Sequence, residues 1–164
     1  MNNFHIVYLA LGSNIGDRAR NLAKALDQLR LNMTITRISS CYETDPWGVT
    51  NQPRFYNLTC SGQTSLTPIQ LLIFLKGIET CLGRRGGVRY GPRPIDLDIL
   101  FYDDLVIDEA RLTIPHPRLH ERAFVLAPLA DIAPDLVHPI RHETVAELLA
   151  RVGTRQVTRL EHSL

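Results

Sequence analysis

The residues best suited to chemistry lie between positions 84 and 98. Arg84, Arg85, Arg89 and Arg93 fall within ten residues, with Gly86, Gly87 and Gly91 between them and no acid among them. A guanidinium is a planar fork that pairs two phosphate oxygens at once, and glycines let a backbone bend closely round a ligand. Such a loop suits a polyphosphate, although a solvated basic loop or a nucleic-acid contact would read the same way in isolation. Asp96-Leu97-Asp98 follows directly. On a strand, Asp96 and Asp98 share one face and stand roughly 6–7 Å apart at their bases. That spacing lets their oxygens converge on a pair of Mg²⁺ ions about 3.5–4 Å apart. Hard cations that also bind phosphates take oxygen ligands of this kind. Acids placed only for solubility are the alternative. Side by side, however, they repel unless a cation lies between them, and a phosphate-binding loop precedes them. Loop and acid pair together point to phosphoryl transfer. No Walker A motif, kinase glycine loop or Rossmann fingerprint is present, so the phosphate site is of another type.

These residues need a scaffold, and the spacing of apolar residues predicts one. Phe4 to Leu11 reads as a strand followed by a turn at Gly12-Ser13-Asn14, and Asp17 to Arg30 as a helix with Leu22, Leu26 and Leu29 on one face. Thr34 to Glu43 and Phe55 to Gln63 read as strands. Thr67 caps a second helix with Pro68 at its first position, Leu71, Leu75, Ile78 and Leu82 form its stripe, and Gly83 stops it. Ile95 to Phe101 is a strand, turning at Tyr102-Asp103-Asp104 toward a partner near Leu105 to Ile107. Helices are expected at Glu121 to Ala130 and near Glu143 to Val152, the latter within a tail expected to pack on the domain. The order β-α-β-β-α-β predicts an α+β fold: a ferredoxin-like antiparallel sheet with helices on one face and additional C-terminal strands and helices. The fold alone decides nothing about chemistry.

The bulk properties agree with an ordinary globular domain. The chain has 164 residues, 18 basic against 17 acidic, 45% hydrophobic and 21% charged. That is one domain, 1–164, able to bury a core without metal or disulfide staples. The balance argues against disorder and against a polycation for nucleic acid. Apolar runs are too short to span a bilayer, and the first residues lack a basic signal-peptide region. Cys41, Cys60 and Cys81 form no CxxC or zinc set and read as reduced thiols. The expectation is a cytoplasmic monomer with no nucleic-acid or membrane partner.

The run Arg89-Tyr90-Gly91-Pro92-Arg93-Pro94-Ile95-Asp96-Leu97-Asp98-Ile99-Leu100 resembles the signature of the 6-hydroxymethyl-7,8-dihydropterin pyrophosphokinase family. Leu11-Gly12-Ser13-Asn14, Tyr42-Glu43-Thr44-Asp45-Pro46, Gln52-Pro53-Arg54-Phe55-Tyr56-Asn57, Pro115-His116-Pro117-Arg118 and Glu121-Arg122-Ala123-Phe124-Val125 resemble its other segments in order, from about Ile6 to Pro139. The resemblance implies transfer of a diphosphate from ATP to a pterin alcohol in folate biosynthesis. It implies that Asp96 and Asp98 hold two Mg²⁺ ions, with Arg84 and Arg93 catalytic on the phosphates. Glu79, Arg84, Arg93, His116 and Arg122 would contact ATP. Phe55 and Phe124 would sandwich the pterin, Asn57 and Asp96 would touch it, and Thr44, Pro46 and Trp47 would line its edge. Gly86-Gly87, Tyr90, Lys76 and Trp47 depart from residues common in the family, and none of them touches the acid pair.

From the residues alone, blander readings stand beside these. Phe55 and Phe124 could be core aromatics, Asn57 a solvated strand residue, His116 a surface residue between prolines, and Glu79 a partner of Lys76 at i, i+3. Two rival functions also stand. One is an RNA-recognition module, which shares the element order but needs aromatic strand residues that are missing here. The other is a metal-dependent phosphohydrolase using the same acids.

Overall fold

A computed structural model describes residues 3–46, 51–83 and 91–161. The chain forms β1 (His5–Ser13), α1 (Arg18–Leu29), β2 (Thr34–Ile38), β3 (Tyr42–Thr44), β4 (Phe55–Thr64), α2 (Pro68–Cys81), β5 (Asp96–Tyr102), β6 (Ile107–Asp108), β7 (Thr113–Ile114), α3 (Ala123–Ile132), α4 (Val145–Val152) and β8 (Val157–Arg159). The main sheet runs β5-β1-β4-β3-β8, with β2 also on β4, and its pairs are antiparallel.

Alternation along the strands divides the core in two. Val7, Leu9 and Leu11 of β1 and Leu97 and Ile99 of β5 meet Leu22, Leu26 and Leu29 of α1 and Leu71, Leu75 and Ile78 of α2. The 3.6-residue period gives each helix one apolar stripe, and this is where both stripes are buried. Asp17 caps α1 by accepting from Arg20 N, and Thr67 and Gln70 form a reciprocal capping box on α2. Each cap is worth about 1 kcal/mol. On the opposite face, Leu100 and Phe101 pack with Val125, Leu126 and Leu129 of α3 and Val145 and Leu148 of α4. The first two helices therefore take one face and the C-terminal helices the other. Those C-terminal helices stop short of the sheet's end, where β1, β4 and β5 carry polar residues on the same face.

Several expectations are corrected. The strand expected over Thr34 to Glu43 is two strands. Between them the Ser39 hydroxyl accepts from Thr59 N and donates to Ser40 O, the side-chain-to-backbone competition by which serine interrupts a ladder. β1 does not turn at Gly12 but continues to Ser13, paired on both sides up to Gly12. The segment after Asp103 does not fold back on β5. Asp103, at φ 48°, accepts from Ile6 N and bonds His5 Nδ1, which ties the chain to β1, and β6 pairs with β7 instead. The helix expected from Glu121 begins at Ala123, because Arg122 is extended after a single 3-10 turn at Leu119–Glu121. β8, unpredicted, pairs with β3.

Candidate active site

The register of the sheet assembles the site. Directly paired residues of antiparallel strands place their side chains on one face. Tyr42, Asn57, Gly12 and Asp96 form one row across β3, β4, β1 and β5. Thr59, Ala10 and Asp98 form the next, and Thr44 pairs with Phe55. Leu97, between the two acids, is buried in the opposite core, so Asp96 and Asp98 share the other face. The shared face expected of the pair is therefore present.

Gly12, Asn57, Asp96, Ala10 and Asp98 of these rows floor an open cleft. Its walls include Thr44, Phe55, Asn57, Arg93, Asp96, Asp98, Arg122 and Phe124, all expected from the sequence. Phe55 rises from the start of β4, and Phe124 descends from the first turn of α3. Both are half-buried and line the cleft; Phe124 also packs against the α3–α4 core, so it serves both. The Arg122 guanidinium lies 5.5 Å from the Phe124 ring centroid. Asn57 Nδ2 donates to Thr44 Oγ1 at 2.6 Å, so the amide is fixed in direction rather than solvated. Two carboxylates with hard oxygen donors, two residues apart on one strand, fit a divalent ion whose remaining ligands are phosphate oxygens and water. Among the described residues no cluster of three His, Cys, Asp or Glu could hold a metal by itself.

Other expected residues stand elsewhere. Glu79 is only 2% exposed and lies behind β5, on the α2 side. Its Oε2 accepts from Leu97 N at 2.8 Å and its Oε1 meets Lys76 Nζ at 3.2 Å. The carboxylate thus supports the strand between the two acids. Among the described residues β5 lies at the end of the sheet, and no described strand pairs with it on its outer side. His116 is also outside the cleft wall. Its backbone N donates to Leu100 O at 3.1 Å, at the bulge where β5 carries one extra residue opposite β1. Its Nδ1 accepts from Arg118 N at 3.2 Å. Burial, with the nearby charges of Arg122 and Arg118, lowers its pKa from 6.5 to about 4. The ring is therefore neutral at physiological pH and carries its proton on Nε2. Pro46 is described but does not line the cleft, where Asp45 does. Arg84 and Trp47 lie outside the described residues, as does most of the arginine loop.

Sequence reasoning missed Asn14. It is 1% exposed and joins two chain segments at the cleft mouth. Its Nδ2 donates to Gln52 Oε1 and Pro53 O, its Oδ1 accepts from Arg93 N at 2.7 Å, and its N donates to Arg93 O. An asparagine after a strand reads as a turn residue, which concealed the hub. Behind the sheet, Arg18 stacks on Tyr56 at 3.8 Å and bonds Glu43 and Arg54 O, bracing the β3 and β4 ends.

With this geometry in place, comparison with known proteins is decisive. The family model for 7,8-dihydro-6-hydroxymethylpterin-pyrophosphokinase (HPPK) matches residues 8–134. The chain belongs to that family. The 2-amino-4-hydroxy-6-hydroxymethyldihydropteridine pyrophosphokinase of Methylorubrum extorquens is 47% identical over 94% of this chain and 98% of its own length. The mitochondrial folate synthesis bifunctional protein of Arabidopsis thaliana is 52% identical over 87% of this chain, which spans only 25% of that protein. A solved Plasmodium falciparum HPPK-DHPS structure superposes with a TM-score of 0.78 at 18% identity, covering 97% of this chain and 49% of that one, and so shows the fold alone. Membership in the HPPK family makes the domain a pyrophosphokinase by type, an ATP-dependent diphosphotransferase. Among the described residues no helix is long and apolar enough to cross a membrane.

Proposed function

We propose that the chain transfers the terminal diphosphate of ATP to the hydroxymethyl group of 6-hydroxymethyl-7,8-dihydropterin, releasing AMP, and that the cleft over β1, β4 and β5 is the place. The observation that carries this reading is the acid pair. Asp96 and Asp98 stand on one sheet face, in the same cleft as two aromatic walls and a fixed amide. In this reading Phe55 and Phe124 stack on the pterin, while Asn57 and the Thr44 segment pair with its polar edge and Asp96 touches its hydroxymethyl end. Arg93 and Arg122, joined by Arg84 of the loop, neutralise the phosphates and exclude water that would otherwise hydrolyse ATP. His116, outside the cleft wall, keeps Nε2–H as a neutral donor that the family resemblance assigns to ATP. Asp96 and Asp98 would hold two Mg²⁺ ions, which when bound supply positive charge to the phosphates and acidify the acceptor hydroxyl. The residues themselves hold the two reactants in line, which is most of what phosphoryl transfer requires.

The strand order supports the finer reading of a ferredoxin-like β-α-β-β-α-β core, with β2 and β3 sharing one strand's place and β8 added at the edge. Residues 1–164 form one pyrophosphokinase domain in this reading, monomeric and cytoplasmic, in keeping with free Cys41, Cys60 and Cys81. RNA recognition loses support because α3 and α4 cover the sheet face that such modules leave open. The test is product analysis with MgATP and the reduced pterin alcohol. AMP appearing only with the pterin is the expected result. ADP would identify an ordinary kinase, and phosphate released without acceptor a hydrolase.

A further inference from the structure

Gly12 lies in the middle of the cleft floor, between Asn57 on β4 and Asp96 on β5. Its backbone is regular strand, outside the left-handed region, so conformational freedom does not explain a glycine here. Space does. A Cβ placed on Gly12 would stand 2.6 Å from Asn57 Oδ1 and 3.5 Å from Phe55 Cδ1. The first distance is a collision and the second an ordinary contact. Asn57 is itself 9% exposed, and its Nδ2 is committed to Thr44 Oγ1. Its carbonyl oxygen therefore lies over the bare Cα of Gly12. Any side chain at position 12 would turn the amide out of that plane and loosen its bond to Thr44.

We propose that Gly12 is a positioning residue for the acceptor: its missing side chain lets the Asn57 amide lie across β1, with its polar edge toward the ring. This rests on the reading that the pterin lies against Asn57. Gly12 touches no reacting atom in this account and acts wholly through Asn57, a dependence that a double-mutant cycle measures.

The experiment compares G12A, N57A and the double variant G12A/N57A. Each is titrated with 6-hydroxymethyl-7,8-dihydropterin in the presence of a non-hydrolysable ATP analogue, and with the analogue alone. The expected result is that G12A and N57A each weaken pterin binding about tenfold or more, the loss of one well-formed buried hydrogen bond. The double variant binds no worse than N57A alone, and analogue affinity is unchanged in all three. Wild-type pterin affinity in G12A would overturn the proposal, as would losses that multiply in the double variant. Wild-type affinity in N57A would instead overturn the assignment of the pterin to Asn57, and the proposal with it. If G12A fails to fold, the collision is read in the melting temperature. G12A/N57A is then expected to recover the N57A value, and failure to recover it overturns the proposal.

Discussion

Asp98 and His116 show how the same strand end sets two kinds of behaviour. Asp98 lies half-buried on the cleft floor and not in the core. Changing it to Ala is expected to lower kcat by about a thousandfold or more, the scale on which removing charge stabilisation from a transition state acts. The melting temperature should stay within about 2 °C of wild type. A steady-state assay paired with a thermal melt checks both halves, and near-normal turnover would remove Asp98 from the chemistry. His116 acts in the opposite sense. Its folded-state pKa is about 4, below the ordinary 6.5, because burial and two arginines oppose its charge. The unfolded chain therefore takes up the proton first. Stability is whole above about pH 6.5 and is lost as pH falls toward 4, by up to roughly 3 kcal/mol. Urea unfolding at pH 7 and pH 4.5 is expected to show a larger loss for wild type than for H116Q, and equal losses would refute the assignment. Both residues stood out in the sequence, Asp98 by its alternation with Leu97. What His116 does was not legible there, because the neighbours that keep it neutral come together only when the chain folds.

At the scale of elements, legibility followed locality. Helices α1 and α2 were readable to within a residue or two, since their caps and stripes are written in consecutive residues. The split between β2 and β3 was not, because it depends on Ser39 meeting Thr59 twenty residues away. β6 likewise takes its partner from β7 rather than β5, because Asp103 is held by β1. Asn14 shows the same limit within the site. Nothing local says that its side chain will join the segments carrying Gln52 and Arg93. N14A removes the bonds to Arg93 N, Pro53 O and Gln52 at a partly buried junction, and is expected to cost about 1–3 kcal/mol. Because those segments flank the cleft mouth, turnover should fall further than N14A's thermal shift alone explains. Activity measured well below the variant's melting temperature separates the two effects, and full activity there would confine Asn14 to stability.

Over the whole molecule, the C-terminal tail completes the sheet that carries the site. β8 pairs with β3 over Thr44 to Tyr42, and Gln156 O accepts from Asp45 N. Tyr42 OH donates to Asp131 at the end of α3, and Arg159 Nε donates to Ser40 Oγ. The short strand that carries Thr44 is thus held on both edges and against the helix that carries Phe124. Ending the chain after Gly153 removes one of those supports. It is expected to raise KM for the pterin several-fold while KM for ATP changes little, and to lower the melting temperature by several degrees. Steady-state kinetics with each substrate varied in turn checks the split. Equal rises in both constants would make the tail a general stabiliser.

The carboxylate of Glu79 on Leu97 N has a consequence beyond catalysis. A strand at the border of a sheet offers its amides to any extended segment that drifts past, in this protein or in a neighbouring copy. Here the amide between the two acids is already occupied by an oxygen of the same chain. One amide of this border strand is thereby withheld from foreign backbone.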